Sequence, residues 1–253
     1  MSANPYAVFG DIVCINLETV PERRKYAQDV FHRLGIPARF FTAKRHPQGG
    51  RYGCFDSHIQ VVRRAYDAGL DTVLVFEDDI VPTPACTPDG IAPMATFMKT
   101  DRDWDILYLG YIPCSMAWAG APFLLAPLAA PGILRYNPIT AHALCYSRRG
   151  MHKILHGGYE DVIGKIHYDI WLARLGLRTY CCLPMLFEQQ FSFSSSIPAY
   201  NLLEQIARSL APFLEKHLVF YRISVAKKLL LENQIALVIL VIAMLVVRAI
   251  KNT

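Results

Sequence analysis

The sequence predicts an α/β protein in which a mostly parallel sheet is flanked by helices. One observation behind this prediction is the run of strand formers over residues 72–76, which after Thr72 are apolar on both faces, as in a central parallel strand. Another is the alternation of candidate strands with candidate helices along the chain, the order that builds a parallel sheet. No internal repeat is visible, so nothing indicates a repeat array.

The first strands and helices follow from short-range signals. Residues 12–15 and 38–43 predict two strands, separated by a helix that begins near Pro21 and ends at Gly35. A proline in the first turn and a glycine after the last turn are typical of helix boundaries.

The middle of the chain combines a predicted loop with a predicted helix. Residues 44–52 are basic and rich in glycine and proline, which predicts a loop. Ser57 is then expected to cap a helix that extends to about residue 68. The Pro/Ala-rich segment 112–138 is expected to form either an ordered lid or a loose apolar flap. The remaining elements are strands over 106–109, 141–146 and 179–183, and helices over 147–155, with Ser147 as the expected cap, and 167–175.

The overall composition excludes some classes of protein. A net charge of +5 is a mild excess, below the density of a dedicated nucleic-acid binder, and it suits an anionic partner such as a diphosphate or a membrane surface. The seven cysteines are odd in number and form no CxxC pair. They therefore indicate buried free thiols, in a reducing compartment, rather than a disulfide framework or a zinc site.

The C-terminal region has a different character. Every residue of 235–247 is apolar, and with 229–231 the apolar stretch reaches about 19 residues, near the length that spans a bilayer. The sequence thus predicts a transmembrane anchor over 233–250, with an interfacial or buried core helix as the alternative. Basic residues flank both sides, so the positive-inside rule gives no orientation. The N-terminus resembles no signal peptide, which favours a cytosolic catalytic domain on a C-terminally anchored membrane protein.

Three regions follow from these features. Residues 11–198 are expected to form a catalytic domain, and residues 199–232 an amphipathic helical linker. The linker helices either lie along the membrane surface or pack on the domain. Residues 233–250 form the expected anchor.

The strongest chemical signal is the acidic triplet Glu77-Asp78-Asp79. Adjacent carboxylates repel one another, and at the carboxyl end of a buried strand a divalent cation such as Mn²⁺ or Mg²⁺ relieves that repulsion. Because side chains alternate along a strand, Glu77 and Asp79 are expected to face the metal, and Asp78 the donor. A turn that began at Asp78 would change this division. The alternative is a solvated acidic turn.

Other candidates carry weaker signals. Arg23 and Arg24 follow the first strand and suit phosphate binding, although arginines are common at helix starts. His58 suits either a structural hydrogen bond or a ligand role. Asp169 lies at an apolar helix start, where it serves as a helix cap or as a general base.

Several segments occur in a consistent order along residues 11–197. They are Ile15-Asn16-Leu17 followed by Pro21-Glu22-Arg23-Arg24, Gly53-Cys54-Phe55-Asp56-Ser57-His58, Val75-Phe76-Glu77-Asp78-Asp79-Ile80, Trp104 with the residues up to Gly110, Tyr168-Asp169-Ile170-Trp171-Leu172, and Pro184 with Gln189. Together they resemble the motifs of glycosyltransferase family 25, which includes bacterial lipopolysaccharide glycosyltransferases and procollagen galactosyltransferases. The insert 112–138 and the C-terminal anchor are not part of that pattern.

The resemblance implies a GT-A type, Rossmann-like fold, a divalent metal and a hexosyltransferase that inverts the anomeric carbon. Asp79 and Glu77 would bind Mn²⁺ or Mg²⁺, which bridges the two phosphates of the donor. Asp78 would contact ribose or sugar hydroxyls, while Asn16 and Arg23 support the nucleotide.

The remaining roles are those of His58 and Asp169, together with the identity of the donor and the acceptor. His58 would lie near the nucleotide, and Asp169 would accept the proton of the attacking hydroxyl. The expected donor is a nucleotide-sugar, with a UDP-sugar as first choice, and the expected acceptor is a hydroxyl on a glycan, glycolipid or protein. No nucleic-acid partner is expected.

Two other functions compete with this interpretation. A nucleotidyltransferase also combines an α/β sheet with carboxylates and a metal, but Asn16-Leu17-Glu18 is a poor match to its Gly-rich basic loop. A catalytically inactive, membrane-anchored scaffold of the same fold is the other alternative.

Overall fold

The structure is a computed structural model, and it describes residues 4–113, 123–190 and 218–233, together with 213 and 216. One mixed sheet forms its centre, with helices packed on it. The first elements are β1 (Asp11–Leu17), α1 (Pro21–Leu34), β2 (Arg39–Ala43), α2 (Gly50–Asp67) and β3 (Thr72–Glu77). Pro21 occupies the first position of α1, and Gly35 follows its end with φ 65°, so both predicted helix boundaries are confirmed.

Up to residue 190, the second half of the chain adds seven strands and three α-helices within the described ranges. They are β4 (Ile80–Pro82), α3 (Pro88–Thr100), β5 (Ile106–Ile112), β6 (Leu128–Ala130), β7 (Ile133–Arg135), β8 (Ile139–Ser147), α4 (Arg148–Leu155), α5 (Tyr168–Arg174), β9 (Thr179–Cys182) and β10 (Phe187–Gln189). The Ser147 hydroxyl accepts a hydrogen bond from the Gly150 N–H at 3.1 Å, which confirms it as the cap of α4.

The sheet has the strand order β2-β1-β3-β8-β5-β9-β7-β6, and β10 pairs with β4 and β5. Strands β4, β7 and β8 run against the others, so the prediction of a mostly parallel sheet is confirmed with these exceptions. Strand β8 runs backwards between β3 and β5 because the chain leaves β5 and enters β8 at the same edge of the sheet. That edge therefore collects the carboxyl ends of β1, β3 and β5 and the start of β8.

The core lies on both faces of the central strands. Phe76 of β3, Leu107 of β5 and Leu144 of β8 are fully buried. Apolar residues on both faces leave these strands no solvated side, which is the condition that the sequence pattern predicted for residues 72–76. The prediction of free thiols also holds for the six cysteines in the described ranges.

Helix α2 differs from its prediction. It begins at Gly50, with Gly49 (φ 96°) as its cap, so the predicted loop ends earlier and the assignment of Ser57 as the cap was wrong. Ser57 lies inside α2, where its hydroxyl donates to the Gly53 carbonyl at 2.6 Å. The glycines that suggested a loop belong to the first turn, and a Cβ on Gly53 would lie 3.2 Å from the His46 Cβ.

The segment between β5 and β8 is partly described. Its strands β6 and β7 pair antiparallel, and β7 extends the sheet by pairing with β9. The part from 123 onward is thus ordered structure, and residues 114–122 lie outside the described residues.

The C-terminal part is described as a helix over 219–233. It packs on the loop before β10, since the Ser224 hydroxyl accepts from the Met185 N–H at 3.2 Å and Glu188 Oε1 accepts from the Tyr221 N–H. The described section of the predicted linker is therefore docked on the domain, while residues 199–212 lie outside the described part. No helix within ranges 4–113, 123–190 and 218–233 has the length and apolar character needed to cross a membrane. The anchor predicted over 233–250 lies outside the described residues from 234 onward.

Candidate active site

The acidic triplet occupies the edge where β1, β3 and β5 end. Glu77 is the last residue of β3, and Asp78 and Asp79 form the tight turn that leads into β4. Asp78 is 4 % exposed and Asp79 is 8 % exposed, so the turn is not a solvated surface loop. Because the turn begins at Asp78, the alternation of side chains along a strand does not extend beyond Glu77.

Asp78 is held by two residues from the start of the chain. Its Oδ2 accepts from the Asn16 side-chain amide at 2.7 Å, and its Oδ1 forms an ion pair with Arg23. Asn16 lies near the end of β1 and Arg23 in the first turn of α1, so the β1–α1 connection brings both to the acidic turn. The structure thus places Asn16 and Arg23, two of the predicted donor-binding residues, in contact with Asp78, another of them.

The two carboxylate oxygens of Asp79 differ in their hydrogen bonding. Its Oδ2 accepts from Arg23 at 3.0 Å and from the Gln189 amide at 3.2 Å. Its Oδ1 is buried and has no hydrogen-bond partner among the described residues. Burial and the charge of Glu77 raise the pKa of Asp79 to about 7. A buried carboxylate oxygen without a donor, in the field of a second carboxylate, has the chemistry of a cation ligand.

Glu77 contacts helix α2. Its Oε1 lies 3.1 Å from His58 Nε2 and 3.9 Å from Cys54 Sγ. Burial acts to raise the pKa of Glu77, but the hydrogen bond and charge of His58 outweigh it, so the pKa lies below its ordinary value. Glu77 is therefore an anion at neutral pH. Asp79 Oδ1, which has no partner among the described residues, thus belongs to a carboxylate two positions after an anionic one, which makes Glu77 and Asp79 candidate ligands for a divalent cation.

Asp169 lies in the first turn of α5, whose cap is His167. Its Oδ2 accepts from the Thr140 N–H at 2.9 Å, and its Oδ1 accepts from the Ile170 N–H at 2.9 Å. Burial raises the pKa of Asp169, against the effect of these two backbone donors, and the charge of Glu77 contributes in the same direction as burial. The carboxylate is therefore fixed in orientation and lies within the electrostatic reach of the acidic turn.

Thr140 is the residue with the most unusual backbone near Asp169. Its φ of 82° lies in the left-handed region, which a β-branched residue adopts only under strain. Its hydroxyl oxygen is buried and has no hydrogen-bond partner among the described residues. No feature of the sequence singled out Thr140.

Two further residues at the site were absent from the predicted set. Gln189 binds Asp79 from β10, and its place in the late family-25 segment was the available signal. Cys54 contacts Glu77 because it lies one helical turn before His58 on α2. The structure brings the predicted residues Asn16, Arg23, Asp78 and Asp79 together as one cluster, which His58 joins through Glu77.

The relatives found by sequence comparison are glycosyltransferases. No family model matches the chain. The lacto-N-neotetraose biosynthesis glycosyltransferase LgtB of Neisseria meningitidis serogroup B is 34 % identical over 26 % of this chain and 32 % of its own. LgtE of Neisseria gonorrhoeae is 33 % identical over 26 % and 31 %. A glycosyltransferase 25 family member of Aedes aegypti is 29 % identical over 39 % of this chain and 21 % of its own. The chain thus matches about a third of the length of its Neisseria relatives, and the resemblance to glycosyltransferases, including family 25, is confirmed.

A search of solved structures gives matches of low sequence identity and low TM-score. A glycosyltransferase involved in glycosylation of the major capsid of PBCV-1 has a TM-score of 0.46 and 10 % identity, over 79 % of this chain and 99 % of that one. A Drosophila galactosyltransferase 7 mutant, in complex with manganese, UDP-Gal and xylobiose, has a TM-score of 0.38 and 9 % identity, over 77 % and 79 %. TM-scores this low establish no common fold, so the comparison rests on the sequence relatives.

Proposed function

We propose that the chain is a metal-dependent glycosyltransferase of GT-A type. It would transfer a sugar from a nucleotide-sugar donor, most simply a UDP-sugar, to a hydroxyl of a glycan, glycolipid or protein, with inversion at the anomeric carbon. The observation that carries this proposal is Asp79 Oδ1, a buried carboxylate oxygen without a donor, beside the anionic Glu77 at the carboxyl edge of the sheet. Ligands of open α/β sheets bind at such an edge.

Asp79 and Glu77 would hold Mn²⁺ or Mg²⁺, which when bound neutralises the diphosphate that leaves the sugar. Arg23 keeps Asp79 Oδ2 engaged, so that the opposite oxygen, Oδ1, is the one left for the cation. Gln189 supports the same orientation from β10. These contacts preorganise the carboxylate before any donor arrives.

Asp78, Asn16 and Arg23 would form the donor-binding group. A carboxylate oxygen accepts more than one hydrogen bond, so Asp78 remains able to accept from a ribose or sugar hydroxyl while Asn16 and Arg23 hold it. Arg23 brings a positive charge to the edge where the diphosphate would lie. His58 would act through Glu77, whose orientation it fixes at 3.1 Å.

Asp169 would be the general base of a single displacement. The acceptor hydroxyl oxygen bonds to the anomeric carbon, the bond from that carbon to the diphosphate oxygen breaks, and the hydroxyl proton passes to Asp169. Attack on the face opposite the leaving group inverts the carbon. The raised pKa of Asp169 makes it a stronger proton acceptor than an exposed aspartate.

A panel of nucleotide sugars tests this function on the purified full chain. The expected result is release of a nucleoside diphosphate from one donor, dependent on Mn²⁺ or Mg²⁺ and abolished by a chelator. Release of pyrophosphate would instead indicate a nucleotidyltransferase. Failure to bind UDP and Mn²⁺ by calorimetry would indicate an inactive scaffold.

We also propose that residues 11–198 form the catalytic domain on the cytosolic face and that 233–250 anchor it to a membrane, through the linker 199–232. The apolar run 235–247 supports this arrangement, as do Leu229 and Leu230, which are 52 % and 51 % exposed on the helix over 219–233. Cell fractionation of the full chain tests it. Retention in membranes after an alkaline wash is expected, and recovery in the soluble fraction would overturn the proposal.

A further inference from the structure

Cys54, His58 and Glu77 bring three different kinds of metal-binding atom together. The sulfur, the imidazole nitrogen and a carboxylate oxygen all lie within 4.8 Å of one another. Cys54 and His58 are one turn apart on the same face of α2, and Glu77 meets them from the end of β3. The cluster is therefore built by two rigid elements rather than by a loop.

Two distances within the cluster are close to those between ligands of one tetrahedral zinc ion. Zinc lies about 2.0 Å from nitrogen or oxygen ligands and about 2.3 Å from sulfur, which places nitrogen and oxygen about 3.3 Å apart and sulfur and oxygen about 3.5 Å apart. In the structure, His58 Nε2 lies 3.1 Å from Glu77 Oε1. Cys54 Sγ lies 3.9 Å from the same oxygen. These two distances differ from the zinc values by a few tenths of an ångström, and Cys54 Sγ lies within 4.8 Å of the His58 ligand nitrogen.

The types of donor atom select the metal. A thiolate with an imidazole and a carboxylate suits zinc, whereas Mg²⁺ and Mn²⁺ favour carboxylate, carbonyl and water oxygens. The carboxylate oxygens of Asp79 and Glu77 proposed to hold the donor's cation are of this second kind. The two sets of ligands are therefore chemically distinct although they share Glu77.

We propose that Cys54, His58 and Glu77 form a zinc-binding site with three protein ligands and a fourth position open to water. The Glu77 side chain is 21 % exposed and Cys54 is partly exposed, whereas His58 is buried, so solvent reaches the site from the side of Glu77 and Cys54. The His58 ring is fixed by stacking on Tyr168, with centroids 4.5 Å apart and an interplanar angle of 17°. Binding replaces the thiol proton of Cys54, which is released to solvent.

The site does not depend on the proposed transferase activity. One consequence does rest on that function, because zinc and the donor cation would share a single carboxylate. Zinc on Glu77 Oε1 is then expected to weaken Mn²⁺ binding at Asp79, and by linkage Mn²⁺ weakens zinc binding by the same factor.

Two other arrangements are alternatives to a zinc site at Cys54, His58 and Glu77. In the first, His58 Nε2–H simply donates to Glu77, and no metal binds at Cys54. In the second, zinc binds the exposed pair His152, on α4, and His156, directly after it, whose rings stack with centroids 4.3 Å apart.

Calorimetric titration of the metal-free full chain with Zn²⁺ distinguishes these arrangements. We expect Cys54→Ser and His58→Gln each to lower zinc affinity by more than the ~10–100-fold that follows loss of an outer-shell partner. Matched controls are Cys86→Ser, a partly exposed thiol outside the cluster, and His152→Gln; both are expected to keep full affinity. Asp79→Asn is also expected to bind zinc.

Two measurements on the unaltered chain keep the test decisive if a variant misfolds. Co²⁺ in place of zinc is expected to give a thiolate-to-cobalt absorption band, and zinc is expected to protect Cys54, but not Cys86, from alkylation mapped by mass spectrometry. The proposal is overturned if Cys54 is not protected, if the band is missing, or if His152→Gln alone removes zinc binding.

Discussion

The backbone N–H of Thr140 donates to Asp169 Oδ2 at 2.9 Å, from a residue held at φ 82°. The start of β8 thereby fixes the carboxylate that we propose as the general base. A β-branched residue keeps such a φ only when its surroundings impose it, and such strain is concentrated at functional sites. The strained backbone of Thr140 therefore helps to fix the orientation of the Asp169 carboxylate.

Thr140→Gly is expected to stabilise the protein. Glycine adopts positive φ without the strain of a β-branched side chain, and the relief of ~1–3 kcal/mol outweighs the ~0.5–1 kcal/mol entropic cost of glycine. We expect a gain of roughly 1 kcal/mol in the free energy of unfolding, measured by chemical denaturation. Thr179→Gly, at a buried position of β9, is the control and should destabilise. A loss of stability in Thr140→Gly would show that the side chain contributes more than the strain costs.

Asp169→Asn is expected to lower the transfer rate by ~10²–10⁴-fold, because the amide cannot accept the proton of the acceptor hydroxyl. Donor binding should persist, since Asp169 lies on the acceptor side of the proposed reaction. Steady-state kinetics with separate measurement of UDP binding checks both expectations. Asp67→Asn, an exposed change on the same protein, is the control and should leave the rate unchanged.

The pH dependence of transfer should report Asp169. Burial raises its pKa, so the carboxylate becomes the active base only as pH rises through that elevated value, and the rate should rise with it. This acidic limb is expected to disappear in Asp169→Asn. A wild-type rate that is flat from acid to neutral pH would contradict the assignment.

Asp79 should make the metal-free protein less stable at high pH. Its pKa is about 7 when folded and near 3.8 when unfolded, so the folded state binds the proton more tightly. The stabilising contribution is complete below the unfolded pKa and is lost as pH rises through about 7. Asp79→Asn removes this loss and should be more stable than the wild type at pH about 8 by on the order of 2 kcal/mol. Unfolding free energies of both proteins across this pH range, with a chelator present, give the test. Equal pH slopes for the two proteins would exclude the predicted titration.

Gly110→Ala is expected to destabilise the fold by about 1–3 kcal/mol or more. A Cβ at this position would lie 2.3 Å from His142 Nε2 and 2.5 Å from the Phe187 carbonyl oxygen, both buried between β5, β8 and β10. Gly53→Ala is the comparison, because its Cβ would come no nearer than 3.2 Å, to the His46 Cβ. Thermal unfolding should separate the two variants clearly. Similar melting temperatures would mean that the sheet adjusts around Gly110.

The sequence predicted the elements whose signals are local. The apolar run at 72–76 identified a strand buried on both faces, and Pro21 and Ser147 marked helix starts, because burial pattern and capping depend on neighbouring residues. The predicted start of α2 was wrong, because the local signals before Ser57 are typical of a loop. Its glycines suggest a loop, but Gly50 and Gly53 lie in the first turn of the helix, where a Cβ on Gly53 would approach the His46 side chain at 3.2 Å. The reversed direction of β8 depends on the path from β5, which no local pattern encodes.

The acidic residues of the site could be predicted from the sequence, but the contacts that they make could not. Glu77, Asp78 and Asp79 are adjacent in sequence, and their position after a buried strand indicated a ligand-binding edge. The turn that begins at Asp78 replaces the alternation on which the division of their roles relied. Gln189 reaches Asp79 across 110 positions of sequence, and only the pairing of β10 with β4 and β5 brings it there. The individual roles of these residues remain predictions.

Binding of UDP to the purified full chain, titrated by calorimetry with and without Mn²⁺, tests most directly whether Asp79 holds the donor's cation. We expect Mn²⁺ to strengthen UDP binding in the wild type. In Asp79→Asn we expect that strengthening to disappear while the protein remains folded. Equal UDP affinity with and without Mn²⁺ in the wild type, or an unchanged Mn²⁺ effect in Asp79→Asn, would contradict the account.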